Sequence, residues 1–286
     1  MKQHARVAVC QLDTRMGDVQ GNIALALEVA EKAVAADAEY ILFHENMVHE
    51  YPPDAAELAE PMPGPATDRF SEFCARRRVC VGFGMTLRAD PRPYNAVVFV
   101  NGKGAVAATY AKRSLVTRAA YETYMAQLEG RPIDMTRHER LLEDEVFQRG
   151  QTDLVFDWDG IVAGALICAD TGRDDYWAFL KRQGAGVIFC PFNNPGIRLY
   201  HPRLADQVRA FAGYFVGANR TGSYPMGLPG RGQSVIIDPD GEVVADCGSA
   251  VNSFAIIELR FDQCRRAETV ALRQADMRRP PVQDTE

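Results

Sequence analysis

Three segments of the 286-residue chain carry an apolar run up to a group that can do chemistry. "YILFHE" ends on Glu45, "AVAATYAK" on Lys112 and "IVAGALIC" on Cys168. Sites in α/β proteins gather at strand ends, and a carboxylate, an ammonium and a thiol form a coherent set there. A thiolate is a strong nucleophile, but a free thiol titrates near ~8.5 and needs a base or a cation beside it. Glu45 would take the thiol proton. Lys112 would stabilise the thiolate and the oxyanion made when it attacks a carbonyl. Each residue also has an ordinary reading. An acid at a strand end is usually a solvated turn residue, a lysine there is surface charge, and a cysteine is a small buried hydrophobe.

The elements that must position these groups alternate between strand and helix. "RVAVCQL" reads as a strand, and "GDVQGNIALALEVAEKAVAADA" as a helix with Ile23, Leu27, Ala30 and Val34 at helical spacing. Helices are also expected over 66–78, over "LVTRAAYETYMAQLEG", over 174–183 and over 200–215. "VCVGFGMTL", "NAVVFVN" and "AVAATYAK" read as strands separated by the turns "ADPRP" and "NGKG". "DLVFDWDG" with "IVAGALIC", and "SVIIDPDGEVVADC" around Pro239-Asp240-Gly241, read as hairpins. "GVIFCPF" is a buried strand and "SFAIIEL" a last one. The alternation predicts an α/β fold in one domain over 1–286, with a polar tail from about residue 274. The hairpins predict mixed sheets.

Composition narrows the function classes. A hydrophobic fraction of 47% and a charged fraction of 24% suit a globular protein with a sizeable core. The net charge is −6 and the only basic block is Arg76-Arg77-Arg78, so no nucleic-acid partner is expected. No apolar run reaches membrane-spanning length, and the N-terminus shows no signal-peptide pattern, so the expectation is a cytoplasmic protein with no membrane partner. The seven cysteines include no Cys-x-x-Cys and are expected as free thiols. His44 and His49 lie five apart, which misses the four-residue spacing of helical zinc ligands; no metal is expected. Cys168, His201 and Asn219 follow the order of a papain-like triad, but the histidine is too near in sequence. "GLPGRG" leads into a strand, which argues against a phosphate cradle, and "RGQSVI" lacks the second glycine of a nucleophile elbow.

The motifs, taken in order, resemble the nitrilase superfamily of carbon–nitrogen hydrolases. "VAVCQLDTRMGDVQGNIALALEVAEKAVAADAEYILFHE" is similar to that family's opening and ends on its glutamate, here Glu45. "ENMVHEYPP" keeps Tyr51-Pro52-Pro53, "TYAKRSL" supplies the lysine as Lys112, and "GALICAD" the nucleophile as Cys168. In "LLEDEVFQRGQ" a glutamate precedes a glycine by seven residues, which makes Glu143 the second glutamate and Gly150 the glycine. "FVGANRTG" and "GQSVIIDPDGEVV" resemble later segments, so the likeness runs from about Val7 to about Leu259. It implies a four-layer α-β-β-α sandwich, assembled as a homodimer or larger homo-oligomer through its outer helices. It also implies a small-molecule amide substrate and no cofactor. Glu45 would be the general base and Cys168 the nucleophile. Lys112 and the backbone N–H of Ala169 would hold the oxyanion, and Glu143 would orient Lys112 or the substrate.

The departures from the family pattern bear on substrate. Ala169-Asp170 follows the cysteine where nitrilases carry Trp-Glu, which favours amides over nitriles. His44 precedes the glutamate in place of proline, and Glu50 stands in place of glycine. The family's Arg position holds Gly172, with Arg173 next to it. Arg173, Tyr51 and Asn193 are the candidate substrate contacts. Arg173 either grips a substrate carboxylate or pairs with Asp174 or Asp175. The 31-residue stretch from Lys112 to Glu143 either covers the pocket mouth, meets another subunit or decorates the surface. The functional expectation is an aliphatic amidase or N-carbamoyl hydrolase. The competing expectation is a non-catalytic family member, and ammonia release from a panel of amides, carbamoyl compounds and nitriles separates the two.

Overall fold

The computed structural model describes residues 2–52, 54–136, 142–194, 203–223 and 229–264. In chain order the first elements are β1 (His4–Gln11), α1 (Val19–Ala35), β2 (Tyr40–Leu42), α2 (Ala55–Leu58), α3 (Pro65–Arg77), β3 (Cys80–Leu87), β4 (Tyr94–Val100), β5 (Val106–Ala111), α4 (Arg118–Glu129) and α5 (Glu143–Val146). There follow β6 (Leu154–Trp158), β7 (Ile161–Ala165), α6 (Asp174–Arg182), β8 (Val187–Pro191), α7 (Leu204–Phe211), β9 (Tyr214–Ala218), β10 (Thr221–Ser223), β11 (Pro229–Arg231), β12 (Val235–Ile237), β13 (Val243–Asp246) and β14 (Ser253–Arg260).

Two six-stranded sheets result, ordered β14-β1-β2-β3-β4-β5 and β13-β12-β9-β8-β7-β6. Each has a parallel centre, β1-β2-β3 in one and β7-β8-β9 in the other. Antiparallel strands flank both centres, so the sheets are mixed, as the hairpins predicted.

The two-residue period of a strand explains the layering. On β4, Val97 and Phe99 point into the layer between the sheets, while Val98 and Val100 point outward. The inner layer is aromatic: Trp158 meets Tyr40, Phe99 and Phe189 edge-on, with ring centroids 4.9–5.3 Å apart. The outer face of the first sheet is covered by α1 and α3, through Ile23, Ala26, Phe70 and Phe73. Against the second sheet lie α6 and α7, where Trp177 stacks on Phe215 at 5.6 Å. The chain is therefore the α-β-β-α sandwich that was expected. Both faces of the central strands are buried, which is why they read as near-continuous apolar runs.

Two expectations shift. The buried apolar stripe of α1 is Ile23, Ala26, Val29, Ala30 and Ala33; Leu27 and Val34 are only half-buried. The helix expected over 200–215 stops at Phe211, where Ala212 turns left-handed at φ 65 and the chain re-enters the sheet as β9. Residues 200–202, like the tail from about 274, lie outside the described residues. Among the described residues no helix is long and apolar enough to cross a membrane.

Candidate active site

Glu45 lies three residues beyond β2. Its N–H donates to Phe192 O at 3.1 Å, just past β8, so its backbone joins the two sheets at their strand ends. The chain can lie this close to β3 only because β3 offers a glycine. A Cβ on Gly84 would fall 2.3 Å from the Asn46 nitrogen. Lys112 follows β5 directly, with its N–H on Asn95 O at 2.8 Å and its carbonyl accepting from Gly150 N at 2.9 Å. A Cβ on Gly150 would meet Ala111 O at 2.1 Å, which accounts for the glycine seven residues after Glu143. Cys168 opens a short 3-10 turn after β7, at the left-handed φ of 45. Non-glycine residues in that region carry strain and cluster where chemistry is done.

The turn after Cys168 is fixed by Asp170. Its carboxylate accepts from Tyr110 Oη at 2.9 Å, Ser114 N at 2.7 Å and Ile167 N at 3.1 Å. The Cys168 turn is thereby tied to the segment that carries Lys112. The Lys112 ammonium sits between two carboxylates, 2.7 Å from Glu45 Oε1 and 2.7 Å from Glu143. Glu143 also accepts from Tyr51 Oη at 2.9 Å and Val116 N at 2.8 Å. Asn95 Nδ2 lies within 3.1 Å of Glu45, Tyr51 and Glu143 alike. Glu45, Tyr51, Lys112 and Glu143 line a cavity of about 150 Å³ together with Cys168, Ala169, Asn193 and Asn194.

Two carboxylates sharing one ammonium are driven to different protonation behaviour. Burial raises the Glu45 carboxyl, Lys112 draws it down and Glu143 pushes it back up, leaving it at about 7. Burial acts on Glu143 too, but Lys112, the Val116 N–H and Tyr51 hold it below the usual value. Burial alone would discharge Lys112; Glu143 and Glu45 instead raise it well above its ordinary range. Burial and the Glu45 charge push the Cys168 thiol up, against the pull of Lys112. The resting site thus holds a neutral thiol beside a carboxyl poised near neutrality. That is a general acid–base pair for thiol attack on a carbonyl.

Behind this wall a second buried network holds the loop. Glu50, at φ 58, accepts from Thr14 Oγ1 and from Asn193 Nδ2 at 3.0 Å, lies 2.7 Å from His44 Nε2, and faces Arg220 at 3.6 Å. Burial would raise this carboxyl, but His44 and Arg220 keep it below the usual value. Asn193 Nδ2 also reaches Glu45 O at 3.3 Å, so Glu50 supports a cavity residue that in turn holds the Glu45 backbone.

Comparisons with known proteins bear on the family and the fold. The sequence profile described as carbon–nitrogen hydrolase matches residues 6–269. The chain belongs to the carbon–nitrogen hydrolase family. This hydrolase is 26% identical over 268 residues to an (R)-stereoselective amidase of Pseudomonas sp., covering 92% of this chain and 87% of that one. It is 24% identical to the nitrilase and fragile histidine triad fusion protein NitFhit of Caenorhabditis elegans, covering 92% of this chain but only 59% of that longer protein. A mutant of the Nesterenkonia AN1 amidase, from the nitrilase superfamily, superposes with a TM-score of 0.74 at 21% identity, covering 94% of this chain and 96% of that one.

The hydrolase brings Glu45, Lys112, Glu143, Cys168, Ala169, Tyr51 and Asn193 together at one cavity. Arg173 is placed elsewhere. It is exposed, and its guanidinium holds Asp175 at 3.0 and 3.2 Å, which is the ion pair weighed against a substrate clamp. Arg173→Lys is therefore expected to change KM by less than about twofold, and equally for an acidic amide and its uncharged analogue. A selective loss for the acidic substrate in steady-state kinetics would restore the clamp.

The 112–143 stretch supplies cavity wall through α4, consistent with the pocket-mouth alternative. His44 is spent on Thr14 and Glu50, and His49 Nδ1 accepts from Thr86 N at 3.1 Å. Asn219 holds the backbone of Asn194, and His201 lies outside the described residues. Sequence reasoning missed Asn95, Asn194 and Glu50 as site residues. Asn95 had one signal, a lone amide heading the apolar run "NAVVFV".

Proposed function

We propose that this hydrolase cleaves the carbon–nitrogen bond of a small linear amide through a thioester on Cys168. The observation that carries the reading is that Glu45, Lys112, Glu143 and Cys168, far apart in sequence, line one cavity. Glu45 takes the thiol proton as sulfur attacks the amide carbon. Lys112 and the Ala169 N–H hold the oxyanion. The intermediate collapses, and Glu45 gives its proton to the departing amine. Glu45 then takes a proton from water, which attacks the thioester, and the proton returns to the thiolate as the acid leaves. Glu143 keeps Lys112 charged and aimed. Relatives that are named amidases support amide over nitrile chemistry. A single hydrolase domain, a homo-oligomeric assembly and a cytoplasmic site of action belong to the same reading.

The test is ammonia release from acetamide, propionamide, N-carbamoyl glycine and propionitrile, with kcat/KM followed from pH 5 to 9. The base form of Glu45 is the active one. Its carboxyl is raised to about 7, so activity is expected to fall as pH drops through that value. Below it the loss is about tenfold per unit. Ammonia from the nitrile alone, or a profile flat down to pH 5, would overturn the assignment of Glu45 as base to an amidase.

A further inference from the structure

We infer that Glu50 is a positioning residue for the reaction: it fixes the Asn193–Asn194 segment against the Cys168 sulfur and the Glu45 backbone, and thereby governs the chemical step more than substrate binding. This deepens the amide-hydrolase reading and rests on it for turnover alone. Glu50 stands behind the cavity wall, 1% exposed, at a left-handed φ of 58. A buried carboxylate and a strained backbone are two costs at one residue, and both persist only where the surroundings hold them. Oε1 accepts from Thr14 Oγ1 and lies 2.7 Å from His44 Nε2. Oε2 accepts from Asn193 Nδ2 at 3.0 Å and faces Arg220 at 3.6 Å, whose Nη2 donates to Thr14 O at 2.9 Å. The 2.7 Å contact joins the two residues of this segment that depart from the family pattern, His44 and Glu50.

The Asn193 amide carries this anchoring to the site. The Glu50 carboxylate holds it through a charge-assisted bond. Nδ2 also donates to Glu45 O at 3.3 Å, while Glu45 N donates to Phe192 O at 3.1 Å, so residues 192 and 193 grip the Glu45 backbone on both sides of its Cα. The same segment faces the sulfur. Burial raises the Cys168 thiol, and the Asn193 main-chain N–H is among the groups that draw it back down. Asn194 Nδ2 donates to Cys168 Sγ at 3.9 Å. Asn194 is fixed from behind by Asn219, which accepts from its N–H at 3.1 Å and donates to its carbonyl at 2.9 Å. Glu50 gives the Asn193 end the support that Asn219 gives the Asn194 end. These donors strengthen as charge develops on sulfur while Glu45 takes the thiol proton. Loosening the segment therefore raises the barrier more than it weakens substrate binding.

The experiment compares Glu50→Gln and Glu50→Gly with the parent chain in two assays run well below each melting temperature. One measures kcat and KM for propionamide. The other measures the rate of Cys168 alkylation by iodoacetamide at one fixed pH, read from the mass of the labelled peptide. Glu50→Gln keeps the length and an acceptor for Asn193 but loses the charge, and Arg220 retains Asp13 at 3.7 Å. Glycine adopts a left-handed φ without strain, so Glu50→Gly spares the turn while removing the carboxylate. The expected result is a kcat about tenfold lower in Glu50→Gln and about a hundredfold lower in Glu50→Gly, with KM within about twofold of the parent in both. Alkylation should slow in the same order, because it reports the sulfur and not the substrate. Should Glu50→Gly fail to fold, Glu50→Gln decides by the same two measurements. A kcat loss with alkylation at the parental rate, a KM that rises more than kcat falls, or parental turnover in the variants overturns the inference and leaves the amidase reading standing. A parent chain that releases no ammonia, while alkylation still slows from Glu to Gln to Gly at position 50, overturns the amidase reading and leaves the hold of Glu50 on the sulfur intact.

Discussion

Cys168→Ala is expected to lower kcat by about four to six orders of magnitude, because residues that act as one unit fail together. The fold should survive. Cys168 is buried at the start of a short turn whose shape is set by the Asp170 carboxylate and by Thr171 Oγ1 donating to Cys168 O at 2.8 Å, and neither bond uses the sulfur. The melting temperature should move by no more than about 4 °C, the size of a lost sulfur contact in a chain of this length. Cys168→Ser should be nearly as inactive, since a buried hydroxyl beside Glu45 is far harder to deprotonate than a thiol. Single-turnover assays would settle the matter through the acyl-enzyme: a mass increase on Cys168 during turnover of a slow amide, absent in the alanine variant. Residual turnover above about one per cent in Cys168→Ala would remove the thioester from the pathway.

The second large effect combines activity with stability. Lys112→Ala removes the ammonium that Glu45 and Glu143 both contact at 2.7 Å, leaving two buried carboxylates face to face. Stranding a buried charge in this way costs about 3–5 kcal/mol, a fall on the order of 10 °C in melting temperature. Turnover should vanish with the oxyanion partner. The double variant Lys112→Ala with Glu45→Gln separates the causes. It should be as inactive as either single variant yet more stable than Lys112→Ala alone, because the like-charge conflict is gone. Thermal melts showing the double variant to be the sum of two independent losses would mean that the three groups do not act as one charge system.

How far the sequence could be read depended on what each residue's significance rests upon. Glu45, Lys112 and Cys168 were legible because each follows a strand that reads as an apolar run, and a reactive group at the end of such a run stands out. Glu143 was legible only through the family resemblance. It lies in a polar stretch, and its importance comes from Lys112, which is 31 residues away. Asn95 was illegible for a different reason. Antiparallel pairing sets it opposite Thr86, and its carbonyl takes the Lys112 N–H, so its place at the site is a matter of strand register. Arg173 failed in the other direction. Its position five residues after Cys168 looked informative, but the loop turns it to solvent, where it pairs with Asp175. Sheet order and layering followed from hairpins and apolar runs. The end of α7 did not, because nothing in "RAFAGYF" marks the left-handed turn at Ala212.

The bonds from Ser114 N to Asp170 and from Val116 N to Glu143 have a consequence for how this protein can change. They come from the main chain, so the bonds themselves do not depend on which side chain stands at either position, and only proline, which lacks the N–H, removes them. Among the described residues, the stretch that follows shows no further main-chain bond of this kind to Asp170 or Glu143. A graft of residues 117–142 from a relative is expected to exchange cavity wall while leaving Cys168, Glu45 and Lys112 undisturbed. Divergence of specificity in this chain needs no compensating change at the reaction centre, as long as both main-chain donors stay in register with their acids.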